Sequence, residues 1–218
     1  GGISLKEEIS ASYCDWLNEQ DMPKGKRSAM LSALELFSKQ GYDSTSTMAI
    51  AQHAGISQAT IFKYFKTKDD LLQAILEPMI KNLLPEYRED FLAYIPETTT
   101  LRQTVRFLIR DRYAFLKQNK EVVMIFFTQV MTNTDTRTTF NHFISETASM
   151  FIDYVYDTLK KSGDLQDGLT PAAVLRTIAG QLMIYFLQRQ IVLPDMTVDE
   201  DADLQTIEDL IVRALSKK

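Results

Sequence analysis

The stretch Thr47–Phe65, TMAIAQHAGISQATIFKYF, constrains the fold of this chain more than any other, because its small residues fall where two helices must cross tightly. Ala51 stands four residues before Gly55, and Ile50, Ala54, Ile56 and Ile61 supply apolar contacts at helical spacing. That is the spacing of a helix-turn-helix: Ala51 admits the second helix, and Gly55 permits the positive φ of a tight turn. Ser57 follows as the side-chain cap of a short second helix. Such a unit offers the N-terminal residues of its second helix to the DNA major groove.

Charge supports this expectation through its distribution. The 218 residues carry a net −5, which alone argues against nucleic acid. Residues 24–68 nevertheless hold seven basic side chains (Lys24, Lys26, Arg27, Lys39, Lys63, Lys66, Lys68) against Glu35 and Asp43, a net +5 that leaves −10 for the rest. A basic module on an acidic chain is the electrostatic footprint of a DNA reader whose remainder has another task. No apolar run approaches the roughly 20 residues that span a bilayer, so no membrane partner is expected. The start, GGISLKEEIS, lacks a basic stretch ahead of an apolar core and is not read as a signal peptide. The single cysteine, Cys14, excludes an intrachain disulfide and suits a reducing cytoplasm.

Apolar periodicity predicts an all-α chain. Expected helices cover 4–19, Lys26–Gln40, one capped by Ser46, one capped by Ser57, and a long one from Thr67 in which Pro78 marks a kink or break. Further helices are expected over 99–118, 121–132, 135–162, 170–190 and 203–217, with the five acids of Pro194–Asp203 in a solvated loop. The domains expected are an N-terminal helical extension at 1–23, a helix-turn-helix DNA-binding domain at 24–68, and a helical effector-binding and dimerisation domain at 69–218.

Residues 26–72 resemble the DNA-binding domain of the TetR/AcrR family of bacterial transcriptional regulators. The matching residues are Ala33-x-x-Leu36-Phe37, Gly41-Tyr42-x-x-Thr45-Ser46, Ile50-Ala51-x-x-Ala54-Gly55-Ile56-Ser57, Ile61-Phe62-x-Tyr64-Phe65 and Lys68-x-x-Leu71-Leu72, in order and without a gap. Two positions depart: Thr47 replaces a more usual apolar β-branched residue, and Phe62 replaces a common Tyr, so Phe62 is given no polar role. The resemblance implies a three-helix DNA-binding head, a helical ligand-binding body and a homodimer. It puts Ser57–Phe65 in the major groove, with Gln58, Ala59 and Thr60 as base-edge candidates. Gln58 suits adenine and the Thr60 methyl suits thymine. Lys63 and Tyr64 project toward base or backbone, while Thr45, Ser46 and Lys68 are placed for phosphate contacts. Ser46 and Ser57 are caps first, and His53 is an ordinary surface residue.

Residues 99–190 are rich in large, soft side chains, most of them core and some of them expected to line an apolar effector pocket. The candidates for that pocket are Phe107, Arg112, Phe127, Gln129, Met131, Phe151, Tyr154 and Gln181. Arg112 lies at the centre of the apolar face made by Leu101, Val105, Leu108, Phe115 and Leu116. A buried guanidinium needs a partner: either a structural acid, Glu146 or Asp153, or the anionic end of an effector. The last two helices, 170–190 and 203–217, are expected to form the dimer surface. Ala172, Ala173, Ala179 and Gly180 allow close approach there, beside an apolar stripe of Leu204, Ile207, Leu210, Ile211 and Ala214. The alternative is that this stripe packs within the chain.

The reading is a ligand-responsive repressor that binds a palindromic operator and is released by a small apolar or amphipathic effector. One rival is a regulator controlled by a protein partner that docks on the N-terminal helix. Another, an all-helical enzyme, has little support: His53 and His142 lie far apart, Cys14 has no evident base, and there is no E-x-x-H pair or Gly-rich phosphate loop. No cofactor and no metal are expected.

Overall fold

The computed structural model of the protein describes residues 8–95, 100–143, 145 and 149–217, the side chains of Asp90, Met150 and Phe151 excepted. The expected all-helical fold is the one observed. In chain order the helices are α1 (Ile9–Glu19), α2 (Lys24–Gln40), α3 (Thr47–Ala54), α4 (Gln58–Tyr64) and α5 (Lys68–Pro78). A π-helical turn, Met79–Leu83, leads into α6 (Leu84–Ala93), α7 (Leu101–Gln118), α8 (Lys120–Thr132) and α9 (Thr134–Phe143). Then come α10 (Ser149–Lys161), α11 (Pro171–Leu187), a second π turn at Gln188–Val192, and α12 (Glu200–Leu215). Among the described residues no helix is long and apolar enough to cross a membrane.

Packing divides the chain into two compact units, Gly1–Tyr87 with Asn119–Ile144, and Arg88–Gln118 with Ser145–Lys218. This division differs from the expected boundary at 68/69, because α5 and α8 both pack on α2, and α9 packs on α5. The extension also belongs to the first unit. Of the helix expected over 4–19, residues 4–7 lie outside the described residues; the remainder buries Ile9, Tyr13 and Leu17. Its start is held by the Ile9 N–H, which donates to Asn119 Oδ1 at 2.7 Å. Its end is held by Arg27, which donates to the carbonyls of Leu17 (3.2 Å) and Gln20 (2.5 Å). The apolar face proposed for a docking partner is therefore occupied by the chain itself.

The regular α-helix ends at Pro78, the break expected there, but the helical path continues as a π turn. Pro78 and Pro85 lack the N–H that a regular α-ladder would use. Between them the ladder widens to i→i+5 bonding, with the Leu84 N–H reaching the Met79 carbonyl. Met79, Ile80 and Leu83 stay buried through the turn. Two further expectations are corrected. The helix expected over 135–162 is two, α9 and α10, with Ile144 and Glu146–Ala148 outside the described residues. The last helix begins before Asp203: Asp199 Oδ1 accepts from the Ala202 N–H at 3.1 Å and caps α12. Glu200, Asp201 and Asp203 thus sit in a first helical turn, where the backbone dipole favours acids.

In the second unit, α7 and α12 run antiparallel and are laced by ion pairs. Arg102 meets Glu208 (2.8 Å) and Asp209 (2.5 Å), Arg106 meets Glu208 (2.9 Å), Arg110 meets Asp201 (2.6 Å) and Lys117 meets Glu200 (2.7 Å). Most of these pairs are exposed and contribute little each. Glu208 differs, since its side chain is only 1% exposed. Burial alone would raise its carboxyl, but hydrogen bonds from Arg106 and Arg102 outweigh that and hold it below the ordinary 4.5. Glu208→Gln, nearly isosteric, is expected to cost about 1.5–3 kcal/mol, the range for hydrogen bonds to a charged group. A carboxyl depressed in the folded state stabilises fully above its unfolded value and loses that contribution as pH falls through the folded value. Urea melts across pH should therefore show stability declining below about 4.5, with a shallower decline in Glu208→Gln.

Candidate functional site

Three caps and one glycine fix the geometry of the head. Ser46 Oγ accepts from the Ala49 N–H at 3.0 Å, and Ser57 Oγ accepts from the Thr60 N–H at 3.0 Å. Thr67 and Asp70 close a reciprocal capping box at the start of α5. Between α3 and α4, Gly55 takes φ 66° and ψ 31°, the left-handed conformation that ends α3. The chain leaves this turn so that α4 buries Ile61 and Phe65. Ala59, Phe62 and Lys63, at spacings of three and four along the helix, are left exposed, as is Lys66 just beyond it. Behind α4 lies Gly25, in the first turn of α2, where an added Cβ would stand 3.0 Å from the Thr60 methyl carbon.

The candidate DNA-binding residues separate into outward and inward sets. Ser46, Ser57, Ala59 and Lys63 are exposed. Gln58, Thr60, Tyr64 and Lys68 are half-buried, and most of their polar groups have partners within the head. Gln58 Nε2 donates to Thr47 Oγ1 at 3.0 Å, and the hydroxyls of Thr60 and Ser57 lie 2.9 Å apart. Lys68 Nζ donates to the Tyr42 carbonyl at 2.9 Å and sits 4.1 Å from the centre of that ring. Thr45 is corrected: it is 1% exposed, and its hydroxyl donates to the Gly41 carbonyl at 2.7 Å. It fastens the loop before α3 and offers nothing outward. Sequence reasoning passed over Met48 and Lys66, both exposed; the surplus of lysines at 63, 66 and 68 was the available signal for Lys66.

Within the second unit, α7, α10 and α11 line a partly open apolar cavity of about 290 Å³. Its wall is Leu108, Phe115 and Leu116 from α7, Ile152, Val155 and Tyr156 from α10, and Val174, Ile178 and Leu182 with their neighbours from α11. Arg112 is the charged residue on that wall. It is the one member of the eight effector candidates found there. Phe107 stacks on Phe91 with ring centres 5.6 Å apart, Tyr154 and Gln181 are exposed, and the side chain of Phe151 lies outside the described residues. Phe127, Gln129 and Met131 fall in the first unit; Gln129 is buried beside Gln73, while Met131 is 65% exposed.

Arg112 also has a partner that helical spacing did not suggest. Its Nε and a terminal nitrogen both donate to Asp111 Oδ2, at 2.8 and 2.5 Å. The guanidinium lies 4.0 Å from the Phe91 ring centre and 4.8 Å from that of Phe115. Burial pulls the Arg112 guanidinium below its ordinary value, opposed by the Asp111 charge and hydrogen bonds. The other acids considered do not replace Asp111: Asp153 is exposed, and Glu146 is outside the described residues.

Of the expected dimer stripe on α12, Leu204, Ile207 and Ile211 are buried within the chain, and Leu210 and Ala214 are exposed. The open apolar surface is instead on α11 and the turn after it, where Ala172, Leu175, Ala179, Gly180, Ile184, Ile191 and Val192 are all exposed.

A helix-turn-helix whose second helix presents lysines outward is the apparatus of a DNA-binding transcriptional regulator. Residues 30–75 match the family model described as bacterial regulatory proteins, tetR family. The DNA-binding region of the chain, residues 30–75, is thus of the TetR type. A fatty acid metabolism regulator protein of Bacillus subtilis is 23% identical over 154 residues, 69% of this chain and 76% of that one. A second B. subtilis protein, the uncharacterised regulator YvkB, is 42% identical over 60 residues, 28% of this chain and 31% of its own. Among solved structures, the regulator FadR from B. subtilis in complex with stearoyl-CoA superposes with a TM-score of 0.61 at 21% identity. That superposition covers 85% of this chain and 96% of FadR, and at this identity it shows the shared fold. Because Gly25 lets α2 lie against α4, Gly25→Ala should leave the fold intact while displacing Thr60 and the helix that carries it. DNA affinity, read by fluorescence anisotropy, is expected to fall about tenfold, the equivalent of one base contact.

Proposed function

We propose that the protein is a repressor that acts as a homodimer on a palindromic operator and is released when an apolar or amphipathic effector fills the cavity of the second unit. The observation that carries this reading is a partly open apolar cavity on the same chain as an outward-facing basic helix-turn-helix. In it, residues 24–68 read DNA, with Ser46, Ser57, Ala59 and Lys63 at the groove and Tyr64 beside them. Gln58, Thr60 and Lys68 support that surface while retaining donors or acceptors for DNA. The body, 69–218, supplies the effector site and the dimer contact.

The effector class follows from the cavity wall. Its lining is almost wholly apolar, and Arg112 is already neutralised by Asp111. An apolar molecule therefore binds without an uncompensated charge, and an amphipathic one places its polar end at the Arg112–Asp111 pair. The stearoyl-CoA bound by FadR of B. subtilis is an amphipathic ligand of this broad kind. An effector acts only through a difference in affinity between two conformations of the body. The dimer contact is assigned to the exposed apolar face of α11, because one head reads too few bases and two heads about one DNA turn apart read a palindrome.

The direct test is anisotropy of the purified protein on the intergenic DNA beside its own gene across a salt series, followed by release with fatty acids, acyl compounds and neutral apolar molecules. Tight, site-selective binding with a steep salt slope, and release by one of these classes, is the expected result. Binding equal to that on unrelated DNA would overturn the reading. Two substitutions dissect it. Ile184 is 67% exposed, so Ile184→Glu should leave the monomer folded, yield monomers in sedimentation and weaken operator binding at least tenfold. Arg112→Ala should change the effector concentration needed for release without changing affinity for DNA in its absence; an unchanged release curve would remove Arg112 from the effector site.

A further inference from the structure

The recognition helix presents an apolar reading surface. Phe62 is 47% exposed on α4, on the same stripe as exposed Ala59 and Lys63, and Lys66 just past the helix is exposed too. Met48, one residue along α3 from the Thr47 that holds Gln58, is 64% exposed. No large apolar side chain described in residues 24–68 is more exposed than these two. Leaving such groups in water costs free energy that burial recovers, and neither position is needed for the core of the head, which Ile50, Ala51, Ile61 and Phe65 fill.

The polar groups that could read bases are each tied once within the head. The Gln58 amide donates to Thr47, and the Thr60 hydroxyl is paired with Ser57. The Gln58 amide keeps its oxygen and a second N–H, but the bond to Thr47 restricts where these can point. Beside them, Phe62, Ala59 and Met48 offer carbon to the outside, with Lys63 and Lys66 exposed nearby in the chain. The lysines suit phosphates, and the apolar side chains suit the one apolar feature of the major groove, the thymine 5-methyl group.

We infer that Phe62, with Ala59 and Met48 beside it, determines operator specificity by packing against thymine methyl groups, in preference to hydrogen bonding to base edges. The inference rests on the DNA-reading assignment above and adds its chemistry. The major groove is chosen over a protein partner because the strip lies in a segment of net charge +5 that carries exposed Lys63 and Lys66.

The test removes the methyl without touching any hydrogen-bonding group. Duplexes that bind the full chain are selected from a randomised library, and each thymine of the selected site is replaced in turn by deoxyuridine. Wild-type affinity is expected to fall about 4-fold for each thymine whose methyl is buried, the worth of one methylene-sized group. Phe62→Ala should bind the thymine duplex more weakly and lose its sensitivity to deoxyuridine at one or more positions. Met48→Ala, made in parallel, should do so at a different position. Both residues are exposed, so both variants should fold, as circular dichroism would verify. Equal wild-type affinity for thymine and deoxyuridine duplexes at every position would overturn this inference alone. Failure to enrich any duplex would overturn the DNA-reading assignment as well.

Discussion

For α4 to offer one face outward, its opposite face must reach the head core, and that depends on how the chain leaves α3. Gly55 at φ 66° makes the turn. A Cβ at this position would touch nothing within 4 Å, so the requirement is for a backbone conformation that L side chains rarely adopt. Once the turn is made, Ser57 caps the new helix, Ile61 and Phe65 go inward, and the stripe from Ala59 to Lys63 is left outside. The Thr67–Asp70 capping box then starts α5 two residues after Phe65, and α5 buries Leu71, Leu72, Ile75 and Leu76. Most of the first unit is therefore built outward from one left-handed residue and a succession of caps.

The second unit is held differently. Its helices bury Leu101, Val105, Leu108 and Ile109 on one side and Leu204, Ile207, Ile211 and Leu215 on another. The buried Glu208 carboxylate and its two arginines fix the register between α7 and α12. An isolated buried carboxylate would be costly; paired with two guanidiniums it penalises any sliding of one helix along the other, since a one-turn shift would leave it bare. Apolar contacts supply the attraction, and the charge supplies the alignment.

What the sequence made legible was whatever periodicity and chain stereochemistry determine: the helix-turn-helix, the Ser46 and Ser57 caps, Gly55, and the all-helical body. What it hid were polar side chains that fold back on their own helix or its neighbour. Helical spacing places residues 111 and 112 on different faces, yet the long Arg112 side chain curls onto Asp111. Gln58 and Thr60 point outward on a helical wheel, but hydrogen bonds to Thr47 and Ser57 engage their polar ends. Thr45 reads as exposed next to a helix start and is buried, because its hydroxyl satisfies the Gly41 carbonyl in the loop. Pro78 reads as a helix breaker and does end the regular α-helix, but a widened turn continues the helical path. Position along a helix was predictable; the rotamer a polar group chooses among competing partners was not.

The helix α11 carries two surfaces at once. Val174, Ile178 and Leu182 line the cavity, Ile184 and its neighbours face solvent, and Leu175 and Ala179 belong to both. A helix is too stiff to move one of its sides without the other. Whatever packs on the outer face and whatever enters the cavity must therefore alter each other's equilibrium, and by the same factor in both directions. The apparent affinity for a small molecule would then depend on protein concentration, and the tendency to associate would depend on the small molecule. The two binding events are thermodynamically inseparable because they share a single wall of side chains.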